Sequence, residues 1–393
     1  MKSGYKQLGE YIEEVTRTNS DLKYGIDDVR GCSNTKKMMQ TRANLIGRTY
    51  EKFLVLQPGE FVFNRRTTRN GEKIGMAYND TDREYIFTED YVAFRVKDEC
   101  LSELLPDYLY LFFCRSEFDR YARYKSTGSA TEFFNWEDMC AVPFTAPDLE
   151  EQRKIVHAYK VIEDRINLKK RINENLEEQA RTIFESVFHE YMEGVFVNLN
   201  AELPDGWCLA KVGDYCTENT SKLSKSDTYK TIQYLDTGSI IQNYIFGYQE
   251  FNIGVDEIPS RAKRKVSDGD IIYSTVRPNL QHYGLMRKTP ANLIVSTGFA
   301  VLHNKEKGVV NELLYMWLTK EQNLTYLQAI AENSVSTYPS LNVSDLLDID
   351  IIVPDGNILE KLNNALRRIY NTIDENNRQI QALTNGKGFF LPK

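Results

Sequence analysis

The feature that most constrains this chain is an internal duplication. Five blocks recur in one order. KQLGEYIEE at Lys6–Glu14 answers AKVGDYCTE at Ala210–Glu218, and PGEFVFNRR at Pro58–Arg66 answers DGDIIYSTVR at Asp268–Arg277. EDYVAFRV at Glu89–Val96 answers TGFAVLHN at Thr297–Asn304, and LPDYLYLFFC at Leu105–Cys114 answers VNELLYMWLT at Val310–Thr319. STGSATEFFNWEDM at Ser126–Met139 answers NSVSTYPSLNVSDL at Asn333–Leu346. The offset runs only from 204 (Lys6 to Ala210) to 210 (Pro58 to Asp268). Chance readily produces one such block, but not five in order, so the 393 residues divide into two copies of one plan. Each copy has an ordinary domain's length and can bury its own core.

Each copy begins with short strand-like runs separated by turns. Examples are Phe61–Phe63, Tyr91–Val96, Asp270–Val276 and Ile349–Pro354. Pro58-Gly59 and Asp268-Gly269 are turn dipeptides just ahead of strands. Helical segments are expected over Asp107–Tyr124 and Asn311–Tyr326. The mixture implies an α+β domain.

A long helix closes each copy. Asp148 and Asp355, each after a proline, are plausible N-caps. In the first helix, Ile155, Tyr159, Ile162, Ile166, Leu176, Ala180, Ile183 and Val187 fall on alternating steps of three and four, a path that also crosses Lys169 and Asn173. In the second, the seam is Leu359, Leu362, Leu366, Ile369, Ile373, Asn376, Ile380 and Leu383. This is heptad spacing. The first helix runs about 43 residues without proline or glycine, about 65 Å, longer than a globular core can cover. The natural partner of one seam is the other, in an antiparallel pair, with Asn173 and Asn376 helping to fix register.

The expected fold is therefore α+β: two tandem α+β domains separated by two long helices that form an antiparallel coiled coil, a pseudo-two-fold internal repeat. The expected boundaries are 1–147 for the first domain and 148–192 for the first spacer helix. A linker over 193–207 leads to the second domain, 208–354. The second spacer helix is expected over 355–385 and a tail over 386–393.

The N-terminus has no apolar signal-peptide core and no apolar run reaches the roughly 18–20 residues that span a bilayer, so the chain reads as intracellular. Cys32, Cys100, Cys114, Cys140, Cys208 and Cys216 form no C-x-x-C pair, and the four histidines are isolated. Buried, reduced cysteine is expected rather than zinc.

The search for catalysis fails. A P-loop, G-x-G-x-x-G, the Asn-Pro-Pro-Tyr type motif of amino-methyltransferases, H-E-x-x-H and G-x-S-x-G are all missing. No acidic-x-lysine strand of a metal-dependent nuclease follows the Pro-Asp pairs. No catalytic residue and no metal ligand is assigned, which favours a recognition or scaffold role.

Net charge is −7, yet basic residues cluster. Between Lys36 and Lys73 nine (Lys36, Lys37, Arg42, Arg48, Lys52, Arg65, Arg66, Arg69, Lys73) face three acids (Glu51, Glu60, Glu72). Between Arg261 and Lys288 seven (Arg261, Lys263, Arg264, Lys265, Arg277, Arg287, Lys288) face two (Asp268, Asp270). Nucleic-acid binding follows such local charge rather than the total. Arg65, Arg66, Arg69 and Lys73 follow a strand in the first copy, and Arg277, Asn279 and Gln281 follow its counterpart. Arginine reads guanine, asparagine and glutamine read adenine, and lysine or hydroxyls hold phosphates. A second candidate surface is Arg123–Phe133, with Lys125, Ser129 and Thr131, matched by Ala331–Pro339, with Ser336 and Tyr338.

Gly128-Ser129-Ala130-Thr131, Asn135 to Met139, Pro147, Leu149-Glu150-Glu151-Gln152, Gly269–Pro278 and Pro204–Trp207 together resemble one family. It is the specificity subunit of type I restriction-modification systems (HsdS). The second helix departs from the pattern, with Asn357-Ile358-Leu359 at its start and an early end near Leu383. The resemblance implies a non-catalytic subunit with two target-recognition domains, each reading one half of a split asymmetric site in double-stranded DNA. It implies that the helices set the spacer and dock two methyltransferase subunits, and that the complex recruits motor-nuclease subunits. S-adenosylmethionine, ATP and magnesium would sit on those partners, with no cofactor in this chain. A cytoplasmic DNA-methylation and phage-defence role, without membrane, follows. Two other readings stay open from the residues alone: a fused methyltransferase or nuclease with an unrecognised site, and a coiled-coil interaction protein that binds no DNA.

Overall fold

A computed structural model describes residues 6–41, 44–45, 47–67, 73–128, 132–193, 196–333 and 339–392, leaving aside the side chains of Glu193 and Phe196. The chain forms two compact units, one of residues up to Ile166 with those from Leu383 onward, the other Asn167–Ala382.

In the first unit a four-stranded antiparallel sheet runs in the spatial order Ile12–Val15, Tyr91–Val96, Phe61–Asn64, Met76–Tyr78. The second unit repeats it with Cys216–Glu218, Phe299–Asn304, Ile271–Ser274 and Tyr283–Leu285. Phe61 faces Phe94 and Tyr78 across the ladder; Ile271 faces Leu302 and Leu285. The duplication thus extends to strand order and pairing. Each domain also closes on itself: Lys6–Gln7 pairs with Pro143–Phe144, and Cys208–Lys211 with Asp350–Val353. The second domain adds a mixed sheet in which Thr231–Leu235 runs parallel to Leu293–Ser296.

Backbone geometry explains both turn glycines. Gly59 has φ +83° and Gly269 φ +91°, the left-handed region that side chains disfavour. Their N–H groups donate to Asn79 O and Met286 O, at 2.8 and 2.7 Å.

Aromatic residues fill the core. Phe61 stacks on Phe94 at 5.0 Å, Tyr78 on Tyr110 at 5.5 Å, and in the second domain Tyr283 meets Tyr315 edge-on at 5.8 Å. The two expected helical segments are each broken in two: Pro106–Phe113 with Ser116–Lys125, and Asn311–Thr319 with Glu321–Asn333. Arg115 and Lys320 sit at the breaks with extended ψ of 144° and 133°. Neither proline nor glycine marks the site, so packing imposes the break, and does so in both copies.

The first long helix covers Leu149–Phe188 and the second Gly356–Lys387. Both caps form: Asp148 Oδ1 accepts from Glu151 N–H at 2.9 Å, and Asp355 Oδ1 from the N–H groups of Asn357 and Ile358 at 2.9 Å. Beyond the first helix, a 3-10 turn over His189–Tyr191 leads to a short hairpin pairing Met192–Glu193 with Phe196–Val197, where only a linker was expected. Val197 joins the second domain's core, which gives the hairpin its anchor. The second helix runs past 385 to Lys387, because Lys387 donates to Glu163 at 3.1 Å and lies over the Tyr159 ring. These contacts outweigh the helix-breaking tendency of Gly386.

Within the second unit the helices pair antiparallel. Lys169 donates to Asn376 Oδ1 at 3.0 Å, Asn376 to Asn173 Oδ1 at 2.9 Å, and Asn173 to Asn377 Oδ1 at 2.8 Å. Tyr370 donates to Glu177 at 3.2 Å, and burial pushes that carboxyl's pKa up. Along the seam, Tyr159, Ile166, Leu362, Leu366, Ile369, Ile373 and Asn376 are buried, while Ile162, Leu176 and Ile183 are half-buried. Two features differ from a simple two-helix seam. Leu362, Leu366, Ile369 and Ile373 also pack into the second domain's core. At the far end of the first helix, Phe184 and Phe188 are buried against Trp317, in place of Ile183 and Val187. A straight helix drifts about 20° per heptad from a seven-residue repeat, so its inward face moves over by about one residue along this length.

Among the described residues the six cysteines are free, but only Cys216 is fully buried and Cys208 is exposed. The expectation of buried thiols is met by Cys216, and burial also pushes the Cys32 and Cys114 thiols up, whereas Cys208 departs from it. Cys208 sits on a two-stranded pair, which leaves a strand face open to solvent. No helix among the described residues is long and apolar enough to cross a membrane.

Candidate nucleic-acid interface

The candidate loops leave the sheet in the same way in both domains. At the end of its strand, Asn64 Oδ1 accepts the Arg66 N–H two residues on, at 2.9 Å; Ser274 Oγ accepts the Val276 N–H at 3.2 Å. Such side-chain turns bend the chain out of the ladder. The next three residues then pair with the segment ahead of a short helix. In the first domain Phe134 N–H donates to Arg65 O at 2.9 Å, Thr67 N–H to Glu132 O at 3.0 Å, and Arg66 bridges Phe133. In the second, Leu341 N–H donates to Thr275 O at 2.7 Å, Arg277 N–H to Pro339 O at 3.0 Å, and Val276 bridges Ser340. The described ends of the second candidate segments, Glu132–Phe133 and Pro339, thereby lie against the first candidate loops.

This bond pattern fixes the residue register. Arg65 corresponds to Thr275, Arg66 to Val276, and Thr67 to Arg277. The loops are equivalent, but their basic side chains do not stand at equivalent positions.

Arg66 is exposed and pairs with Asp90 at 3.2 Å. Arg65 is half-buried, and its Nε is buried with no hydrogen-bond partner among the described residues. Lys73 is exposed, and Lys125 is half-buried with its ammonium 5.9 Å from the Tyr121 ring. Arg277 is exposed with φ +49°, and Asn279 is exposed on the 3-10 turn Pro278–Leu280. Gln281 is half-buried; it accepts from Gln242 Nε2 at 2.5 Å and lines a cavity of about 860 Å³ together with Tyr283, Tyr315 and Tyr370. Arg69, Ser129, Thr131, Ser336 and Tyr338 lie outside the described residues.

Several of the clustered basic residues serve the fold instead. Lys36 is buried and paired with Asp119, Lys37 pairs with Glu163 at 3.0 Å, and Arg48 with Glu89 at 2.5 Å. Burial pulls the Lys36 pKa down, opposed by the Asp119 carboxylate. In the second cluster Lys265 pairs with Asp227 at 2.5 Å, Arg287 with buried Glu312, and burial lowers the Arg264 pKa. A sequence count treats all of these as surface charge, whereas burial withdraws Lys36 fully and Arg264, Lys265 and Arg287 in part; Lys37 and Arg48 stay exposed and only gain a partner.

Other loop supports have no sequence signal beyond their polarity. Asp119 accepts the Ile74 N–H at 3.1 Å, and Gln328 accepts the Asn279 N–H at 3.0 Å. Only Asn64 and Ser274, polar residues at strand ends, carry a turn signal that sequence reading can use.

Against known proteins, the family model of the type I restriction modification DNA specificity domain matches residues 31–178 and 204–385. The specificity subunit of the type I restriction enzyme HindI from Haemophilus influenzae is 25% identical over 177 residues, 45% of this chain and 38% of that protein's length. The MjaIX specificity subunit from Methanocaldococcus jannaschii is 24% identical over 303 residues, 74% of this chain and 68% of that protein. The crystal structure of a type I restriction-modification S subunit from M. genitalium aligns over 99% of this chain and 96% of that one, with TM-score 0.56 at 13% identity, a likeness of fold. Matched along both of its repeats, the chain belongs to the family of type I restriction modification DNA specificity domains.

Proposed function

We propose that this chain is the non-catalytic DNA-specificity subunit of a type I restriction-modification complex, and that each α+β domain reads one half of a bipartite site in double-stranded DNA. The observation that carries the reading is the pair of matched loops. They leave the same sheet position and make the same three backbone contacts, yet carry different side chains: Arg65 and Arg66 in one, Arg277, Asn279 and Gln281 in the other. Equal scaffolds with unequal readers suit an asymmetric target. Arginine in bidentate contact favours guanine, and asparagine or glutamine adenine. The long helices serve as the ruler between half-sites and as the dock for two methyltransferase subunits, and motor-nuclease subunits join the assembly. S-adenosylmethionine, ATP and magnesium belong to those subunits. The cell compartment is the cytoplasm, where such substrates meet DNA.

The test is selection from a pool of randomised duplexes by the chain assembled with its companion subunits, alongside methylome sequencing of cells with and without this chain. The expected result is one bipartite motif with two conserved halves and an unspecified spacer. Enrichment of no sequence, with a folded assembly, would sink the reading.

A further inference from the structure

The first candidate loop is held at its far end by a buried ion pair that grips the backbone of one residue through both its N–H and its C=O. Ile74, itself buried, follows Lys73. Its N–H donates to Asp119 Oδ1 at 3.1 Å, and its C=O accepts from Lys36 Nζ at 2.8 Å. Lys36 and Asp119 are paired with each other and are only 3% and 8% exposed. Lys36 reaches this position from a left-handed backbone, φ +63°, which a non-glycine residue seldom adopts. A buried ion pair is often no more stabilising than apolar side chains of equal volume, so stability alone does not account for this one. At the near end, Asn64 N–H donates to Gly75 O at 2.8 Å and Asn64 Oδ1 accepts from Arg66. In the second domain another side chain on the equivalent helix holds the loop at a different point. Asp119 lies on Ser116–Lys125, and Gln328 on Glu321–Asn333, where its Oε1 accepts the Asn279 N–H at 3.0 Å.

We propose that Lys36 with Asp119 in the first domain, and Gln328 in the second, are positioning residues that hold the backbone of the candidate recognition loops, so that each sets the selectivity of one half-site. The inference rests on the DNA-reading function proposed above. Bidentate base contacts demand a well-placed backbone, and a loosened loop loses discrimination before it loses charge. Neither support adds a phosphate contact, so the salt dependence of binding stays unchanged when it is removed.

The experiment compares three variants of the full chain, each assembled with its companion subunits, in selection from randomised duplexes. K36M/D119L replaces the pair by apolar side chains. It relaxes the first half-site by about tenfold or more in single-base discrimination, the amount one bidentate contact supplies, and leaves the second half-site sharp. K36Q/D119N keeps an uncharged donor for Ile74 O and an acceptor for Ile74 N–H, and retains selectivity. Q328A relaxes the second half-site alone. The melting temperature and salt slope are measured for each. A folded K36M/D119L with a sharp first half-site, or Q328A with a sharp second one, overturns the inference. If K36M/D119L does not fold, K36Q/D119N and Q328A decide: a folded K36Q/D119N with a relaxed first half-site refutes the positioning role. A native assembly that selects no motif instead refutes the function on which the inference rests.

Discussion

Arg66 is exposed and shares its guanidinium with Asp90, whereas Arg65 keeps a buried Nε with no partner among the described residues. An exposed pair such as Arg66–Asp90 contributes about 0–1 kcal/mol to folding, so Arg66→Ala leaves the fold intact. Replacing Arg65 and Arg66 together by alanine is expected to cost about 1–3 kcal/mol of discrimination for each base that an arginine reads, at the first half-site only. Competition binding against single-base mismatches checks this, and unchanged mismatch penalties would remove the loop from the interface. Asp270 supplies a prediction about folding. Its buried carboxyl accepts from Ser267 N–H at 2.6 Å and meets His303 Nδ1 at 2.5 Å. Burial pushes its pKa up from 3.8 to about 6, opposed by those two groups. The folded state therefore binds more protons than the unfolded state between these values. Its stabilising contribution is full below about 3.8 and is lost as pH rises through about 6. Denaturant unfolding from pH 4 to 7 is expected to lose this component of its pH dependence in Asp270→Asn; an unaltered profile would show that another group titrates there.

At the scale of elements, the drift of the first long helix makes a sharp distinction between neighbours. Phe184 is buried against Trp317 at a 4.7 Å centroid distance, while Ile183 beside it is half-buried. Phe184→Ala is expected to cost about 3–5 kcal/mol, from forfeited transfer energy and the cavity left behind, and Ile183→Ala clearly less. Chemical denaturation of both variants ranks them, and the reverse order would restore the strict heptad reading. The polar knot of Lys169, Asn173 and Asn376 behaves differently from an apolar seam. Asn376→Ala leaves the half-buried Lys169 and Asn173 each short of a bond, at about 1–3 kcal/mol. A double-mutant cycle between positions 173 and 376 reads the coupling directly, and zero coupling would mean that the pair fixes no register.

For the whole molecule, the proposed ruler function turns helix length into DNA spacing. Seven residues inserted into both long helices preserve the heptad seam and add about 10.5 Å, at about 1.5 Å per residue. That is about three base-pair rises of ~3.4 Å. The two half-site sequences are expected to stay the same while the spacer lengthens by about three base pairs. Methylome sequencing of cells carrying the variant with its companion subunits measures this. An active variant with the native spacer would show that the helices do not set the distance.

Much of the fold was legible in the sequence because it depends on local order. Ordered repeats exposed the duplication, Pro58-Gly59 and Asp268-Gly269 marked turns that require φ > 0, and Asp148 and Asp355 marked the starts of both long helices. Heptad spacing located most of the seam, from Tyr159 to Asn376, through simple helical geometry. Partners far apart in the chain were decided only by tertiary structure. The helix breaks at Arg115 and Lys320, the burial of Phe184 in preference to Ile183, and the extension of the second helix to Lys387 all answer to packing. The same holds for the candidate interface. Sequence placed Arg65, Arg66 and Arg277 on matched loops, but the backbone bonds to Glu132, Phe134, Pro339 and Leu341 set their register. Lys36 looked like one more surface cation in a basic stretch. Only the approach of Asp119, 83 residues away, makes it a buried support, because an ion pair is defined by distance in space and leaves no local pattern in the chain.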